Sequence, residues 1–314
     1  MAPLLRVLTQ NLYLGASLYP VFLARDRAEL LAAAERAVVE LEESDPRGRC
    51  GAVAALIELA RPDIVALQEA AVWREGDRVR ADLAALVLQA LDGRYQLAGR
   101  WSAARAALPP ELGGRSVELG NAVLVRRGLA VESSSGEYRS RLTLPHPLLG
   151  EVHLRRGWVA VDGELEGRPF RLVDTHLEAT EPVLPAAVAV QLAQAEELAA
   201  GPAAVAPVIV VGDLNSDDAA RGVNRTESRN NLVRAGFTDA WTALRPGEPG
   251  LTWRLGDEIA REDAELGARL DLVLTRGAVR ALEIERLGQD PSARTPSGRW
   301  PSDHLALAAT VELG

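Results

Sequence analysis

Apolar residues along the chain fall into two kinds of run. Short, nearly unbroken runs stop at polar or turn residues: Leu4–Leu8 before Gln10-Asn11, Ile64–Leu67 before Gln68-Glu69, and Val208–Val211 before Gly212-Asp213. Such runs are the pattern of buried strands. Further strands are predicted at Arg94–Gly99, Leu119–Arg126, Val131–Leu144, Leu270–Thr275, Ala278–Ile284 and Leu305–Val311. Val152–Leu165 and Arg168–Thr175 read as two strands joined at Glu166-Gly167, a hairpin signal. Longer stretches carry helical spacing. One runs from Arg27 to Glu43 behind Asp26 as a cap, and a second follows a break at Pro46 and Gly48 and stops at Arg61-Pro62. Others are predicted at Asp77–Leu91, Leu184–Ala200 and Arg225–Ala235, while Trp101–Val117 reads as a loop or insertion. The sequence shows no repeat, low-complexity tail or linker, and its elements are interleaved throughout. This predicts one domain over residues 1–314, an α/β sandwich of two packed mixed sheets flanked by helices.

Composition removes several alternatives. Hydrophobic residues make up 47% and charged residues 25%, ordinary globular usage that excludes disordered and collagen-like chains. All 35 basic residues are arginine, so no mechanism can use a lysine Schiff base or a P-loop lysine. The net charge of -9 disfavours broad electrostatic binding to nucleic acid and is compatible with carboxylates gathered around a metal ion. Cys50, the single cysteine, cannot form an internal disulfide and reads as a small buried side chain. No run approaches the roughly 20 apolar residues of a membrane span. The first residues read as a strand rather than a signal peptide. The compartment is left open between the cytoplasm and secretion after removal of a leader. The bias toward Ala, Arg and Leu suggests a GC-rich bacterial genome.

The chemistry is positional. Predicted strands end in Asn11, in Glu69, in Asp174-Thr175-His176 and in Asp213 with Asn215, and Asp303-His304 precedes the last strand. Alone, each Asp or Asn reads as a turn residue. The ordered set is more specific: Gln68-Glu69, Asp174-Thr175-His176-Leu177, Gly212-Asp213-Leu214-Asn215, Arg269-Leu270-Asp271 and Ser302-Asp303-His304-Leu305. Together they resemble the endonuclease/exonuclease/phosphatase superfamily. This group holds DNase I-like nucleases, abasic-site endonucleases, inositol-polyphosphate 5-phosphatases and neutral sphingomyelinases. The resemblance runs from Asn11 to His304.

That resemblance implies a four-layer α/β sandwich and hydrolysis of a phosphoester by in-line attack of water, with Mg²⁺ or another divalent cation such as Mn²⁺. A hard cation with oxygen ligands neutralises the anionic phosphate and the leaving oxygen. It points to Glu69 as a metal ligand, with Asn11 and Asp303 beside it. Leu12-Tyr13 stands where some family nucleases carry a second acid. Asp213 would orient or deprotonate the water, and Asn215 would hold water or phosphate. His304 would contact the scissile phosphate with Asp271 behind it. Which of Asp271 and Asp303 backs the imidazole and which sits on the metal side is left open. His176 would donate a proton to the leaving oxygen or a hydrogen bond to the phosphate. Asn121 and Arg156 are candidate phosphate contacts, and Trp253 a candidate substrate wall or core aromatic. His146 and His153 read as structural or solvent-facing.

The expected activity is a Mg²⁺-dependent phosphodiesterase. The segments Gln10 to Ala16 and Asp174 to Ala179 look most similar to sphingomyelinase-like bacterial members. A nuclease, an inositol-phosphate type monoesterase and a non-catalytic binding module on the same fold are the alternatives. The implied partner is a phosphoester substrate, whether a lipid headgroup, nucleic acid or inositol phosphate. No obligate protein partner is called for.

Overall fold

A computed structural model describes residues 2–180, 184–217, 226–255 and 259–314. Two six-stranded sheets form its centre. The first runs Val279–Leu287, Ala306–Leu313, Leu4–Asn11, Ile64–Gln68, Gly120–Arg126, Tyr95–Ser102. The second runs Thr238–Asp239, Asp271–Arg276, Val208–Asp213, Arg168–His176, Gly157–Leu165, Val131–Glu137. Each is mixed, with one parallel pair at its middle: Leu4–Asn11 with Ile64–Gln68, and Arg168–His176 with Val208–Asp213.

The short apolar runs are continuous because both faces of these strands are covered. Ile64 and Ala66 face the second sheet, as do Leu5 and Val7, and meet a core with Leu172, Ile209 and Val211. Val65 and Leu67 point the other way, onto Val53, Ile57 and other residues of the helices Arg27–Glu43 and Pro46–Ala60. Val208 and Val210 do the same in the second sheet, against Ala195 and Leu198 of the helix Ala186–Ala200. The result is the four-layer α/β sandwich, with strand alternation assigning each side chain to one of two cores.

Several local expectations need correction. Pro46 and Gly48 do not break the chain: Pro46 opens the second helix, where its missing N–H is harmless, and Asp45 caps it by accepting from Gly48 N at 2.9 Å. Asp77–Leu91 is not one helix. Val72–Glu75 and Arg78–Asp82 form a hairpin, and only Leu83–Ala90 is helical, capped by Asp82. The expected loop Trp101–Val117 contributes Ala106–Ala107 and the start of Arg115–Glu118 to a four-stranded sheet with that hairpin. Val131–Leu144 is two strands, as is Val152–Leu165, because Leu142–His146 and Gly150–Leu154 leave the main sheet as a separate hairpin. The helix expected over Arg225–Ala235 is Ser228–Arg234, with Arg225 outside the described residues. Cys50 is buried, with its thiol pushed up to about 12 by burial. No described helix is long and apolar enough to cross a membrane.

Candidate active site

Both sheets deliver polar strand ends to one rim. Asn11 lies opposite Gln68 in the first sheet; in the second, His176 lies opposite Asp213 and Asp213 opposite Asp271. The two rims are tied together beneath the site, where Gln68 Nε2 donates to Asp174 Oδ1 at 2.6 Å. Burial pushes the Asp174 carboxyl well above the carboxylate range against that hydrogen bond. Gly212 permits the close approach of the parallel pair. Its φ is +140°, and a Cβ there would lie 1.9 Å from the carbonyl oxygen of Thr175. Tyr13, Glu69 and Asn215 adopt left-handed backbone with φ of 54°, 49° and 49°. Asn tolerates this region; for Tyr13 and Glu69 it costs about 1–2 kcal/mol each and aims the side chains at the rim.

His304 Nδ1 lies 2.7 Å from Asp271 Oδ2, and its Nε2 lies 3.8 Å from Asp213 Oδ2. Asp271 is therefore the carboxylate behind the imidazole. Its backbone N–H and that of Leu270 donate to Thr252 Oγ1 at 3.2 and 3.1 Å, fixing the strand start. Asp303 instead accepts from Ser302 Oγ at 3.0 Å and faces the cavity. Asp213 accepts from Asn11 Nδ2 and from the backbone N–H of Asn215, both at 2.9 Å, and lies 3.4 Å from His176 Nε2. Asn215 Nδ2 lies 3.1 Å from that same ring nitrogen.

These surroundings drive the two imidazoles apart. Burial alone would lower His304, but Asp271, Asp303 and Asp213 outweigh it and hold the ring well above its ordinary range, as imidazolium. Burial, the Arg156 guanidinium and His304 all push His176 well below that range, so it is neutral. A neutral His176 can offer a hydrogen bond to a phosphate oxygen. Burial raises Asp213 to about 6, opposed by His304 and reinforced by Asp271.

A cavity of about 350 Å³ opens on the rim and is bordered by Glu69, Asn121, Arg156, His176, Asp213, Asn215, Trp253, Asp303 and His304. Of the residues singled out from the sequence, Asn11 and Asp271 stand behind this wall. Glu69 accepts from Leu14 N at 2.7 Å and, more weakly, from Asn11 Nδ2 at 3.3 Å. Asn11 Oδ1 meanwhile accepts from Tyr13 N at 2.9 Å, which leaves it one further lone pair. Arg156 is paired with Glu178 at 3.0 Å and sits 3.1 and 3.0 Å from the two His176 ring nitrogens. Asn121 Nδ2 is buried without a partner at hydrogen-bonding geometry, though its amide is near enough to Asp174 to ease that group's ionisation. Trp253 forms an antiparallel bridge with His304 and borders the cavity. His146 is structural, its Nδ1 accepting from Leu148 N and Leu149 N, whereas His153 borders the cavity.

Oxygen donors dominate, and no thiol is present at the wall, which suits a hard divalent cation. Among the described residues, the three acid or imidazole groups whose ligand atoms all lie within 4.8 Å of one another are Asp213, Asp271 and His304. These three groups could hold a cation, and without one His304 Nδ1 is hydrogen-bonded to Asp271 Oδ2. Glu69 and Asp303, on the same wall, keep the donor chemistry a cation needs.

Sequence reasoning missed Glu178, which pairs with Arg156, and two buried arginines, Arg49 and Arg254, which donate to the backbone carbonyls of Leu12, Tyr13, Pro301 and Ser302 around the rim. Glu178 had a signal, two residues beyond His176 in the same motif. The two arginines had none. Thr252 stood out in the sequence beside Trp253, and the structure sets its hydroxyl as acceptor from Leu270 N and Asp271 N.

Fold and site together define a hydrolase whose acids, amides and imidazoles meet at one edge of a double-sheet sandwich. The chain belongs to the Endonuclease/Exonuclease/phosphatase family, whose sequence model matches residues 44–304, and it is a phosphoester-hydrolysing enzyme. No curated protein matches the chain. Among solved structures, D. rerio TDP2 complexed with a single-strand DNA product is similar at 16% identity and TM-score 0.60, covering 98% of this chain and 99% of that one. A family protein from Leptotrichia buccalis C-1013-b is similar at 15% identity and TM-score 0.60, covering 98% and 100%. One from Beutenbergia cavernae DSM 12333 shares 20% identity at TM-score 0.59, covering 99% and 72%. At these identities the likeness is one of fold.

Proposed function

We propose that the protein is a divalent-metal-dependent phosphodiesterase, with residues 1–314 acting as one catalytic domain. The observation that carries this is the single cavity wall on which Asp213, His304, neutral His176, Glu69 and Asp303 converge. Glu69 and Asp303 would hold Mg²⁺ or Mn²⁺, with Asn11 beside them. When bound, the cation supplies neutralisation of the phosphate and leaving oxygens. Asp213, steadied by Asn11 and by Asn215 N, takes a proton from the attacking water as the water oxygen bonds to phosphorus and the ester P–O bond breaks, its electron pair leaving on the alcohol oxygen, which then takes a proton from solvent. His304, held charged by Asp271, faces the phosphate oxygens. Asn215 and His176 supply neutral hydrogen bonds beside it. Asn121 and Trp253 border the substrate, and Arg156 acts through His176 and Glu178 more than as a free anion contact.

The test is turnover of bis-p-nitrophenyl phosphate. Activity should need Mg²⁺ or Mn²⁺, vanish in EDTA, and fall at least ~100-fold in His304→Ala. Metal-independent turnover, or a fully active His304→Ala, overturns the assignment. A nucleic-acid diester is the second reading, favoured by the fold shared with D. rerio TDP2, which was solved with a DNA product.

A further inference from the structure

Apolar side chains border the same cavity as the polar rim. They come from three segments: Leu14, Leu18 and Phe22; Leu119; and Val152 and Leu154 of the hairpin Leu142–His146/Gly150–Leu154. Leu14, Phe22, Leu119 and Leu154 are half-buried, and each packs against an apolar cluster while bordering the cavity; Val152 is half-buried beside them. The first segment is fixed rather than loose. Trp73 Nε1 donates to Leu14 O at 2.9 Å, Arg49 Nη2 to Tyr13 O at 3.0 Å, and Ser17 N to Glu40 Oε2 at 3.0 Å. A preformed apolar pocket beside a few convergent polar groups is the ordinary form of a small-molecule site.

The charges on these walls point the same way. Among the described residues, the arginines that border the cavity are Arg155 and Arg156. Both are already paired, Arg155 with Glu137 at 3.0 Å and Arg156 with Glu178 at 3.0 Å. A chain of phosphates needs cations at successive positions along its path. Here both arginines are already paired, and much of the remaining lining is hydrocarbon.

We infer that the apolar lining of the cavity is a subsite for a hydrophobic arm, so that the substrate is a single-phosphate diester whose alcohol carries an alkyl or aryl group. The inference rests on the phosphodiesterase reading for the position of the phosphate. It adds the chemistry of the neighbouring group and separates an apolar diester from a nucleic-acid strand. Leu119 and Leu154, from separate segments of the lining, are the specificity-determining residues.

The experiment reads binding, so that it stands apart from turnover. Calorimetry with Mg²⁺-loaded protein compares methyl, butyl and octyl phosphate below micellar concentration with thymidine 3′,5′-bisphosphate, which has a second phosphate and no hydrocarbon arm. Affinity should rise with arm length by at least ~10-fold from methyl to octyl, as expected when even a few methylenes leave water. Leu119→Ser and Leu154→Ser should each flatten that rise and leave methyl phosphate binding unchanged. Two separate variants guard against misfolding in either one. Equal affinity for methyl and octyl phosphate, or tightest binding of the bisphosphate, overturns the subsite even if bis-p-nitrophenyl phosphate is hydrolysed. If octyl phosphate binds as expected and no diester is turned over, the subsite stands and the catalytic reading fails. Co-sedimentation with phosphatidylcholine vesicles distinguishes the source. Together with octyl binding it supports a bilayer lipid, and octyl binding without it supports a dissolved diester.

Discussion

Arg49 Nη1 donates to the carbonyl oxygen of Pro301, 252 positions away, at 3.2 Å. The same guanidinium donates to the carbonyl oxygens of Leu12 at 2.7 Å, Tyr13 at 3.0 Å and Ser44 at 2.8 Å. It is thus a buried clamp between the turn that follows Asn11 and the turn that leads into Asp303 and His304. Arg254 holds the second turn from the other side, donating to Ser302 O and Gly288 O at 3.1 Å each. Burial depresses both guanidinium groups, Arg254 to about 10, with Asp303 opposing the shift.

Arg49→Lys should therefore be poorly tolerated although it keeps the charge, because an ammonium cannot reach four carbonyls with a planar fork. The expected result is at least a ~10-fold loss of kcat with a smaller change in KM, measured well below the variant's melting temperature. A merely structural role predicts a lowered melting temperature with unchanged kcat in the folded fraction.

Asp271 sets the charge on His304. In Asp271→Asn the imidazole loses its nearest carboxylate and drops toward its ordinary range. Turnover should fall ~100-fold, within the range for positioned acid–base groups. The residual activity should shift to lower pH, because the alkaline limb follows deprotonation of His304. Kinetic pH profiles with NMR titration of the ring check both effects, and an unmoved alkaline limb removes Asp271 from that role.

Asp213 predicts a pH-dependent stability in metal-free protein. Its carboxyl is raised from 3.8 to about 6 in the folded state. A raised folded value means that the protonated form is favoured by folding. That contribution is complete below about pH 4 and is lost as pH rises through about 6. Asp213→Asn removes the titration. The melting temperature of the variant minus that of wild type, both in EDTA, should rise between pH 4 and pH 7, whatever constant offset the amide introduces. Its activity should be at least ~100-fold lower. A difference flat across that range contradicts the raised carboxyl.

Glu69→Gln keeps volume and the hydrogen bond from Leu14 N while removing a charge from the proposed cation site. Calorimetric Mn²⁺ affinity and turnover should fall together with the fold retained by circular dichroism. Asp303→Asn should act in the same direction. Wild-type activity of Glu69→Gln at low Mg²⁺ shows that the ligand assignment is wrong.

Much of this was legible along the chain because it rests on local rules. Val208–Val211 had to be covered on both faces, and it is. Asp26 caps Arg27–Glu43 through Glu29 N at 2.9 Å, as a side chain three residues ahead of its donor can. Gly212 and Asp213 announced a tight strand end, and the ordered motifs brought His176, Asp213, Asn215, Asp271 and His304 together. The stretch Asp77–Leu91 failed because the helical spacing of Leu83–Ala90 was extended backward over a hairpin whose partner, Arg115–Glu118, is distant in sequence. Tertiary structure alone decided the rest. Whether Asp271 or Asp303 backs His304, and why two similar imidazoles differ in charge, depends on burial and on neighbours from other strands. Arg49 carries no motif, since its partners are backbone carbonyls that any residue supplies. The apolar walls come from three separated segments, each of which alone looks like ordinary core. Strand pattern acts over a few residues, whereas electrostatics and cavity shape act through space.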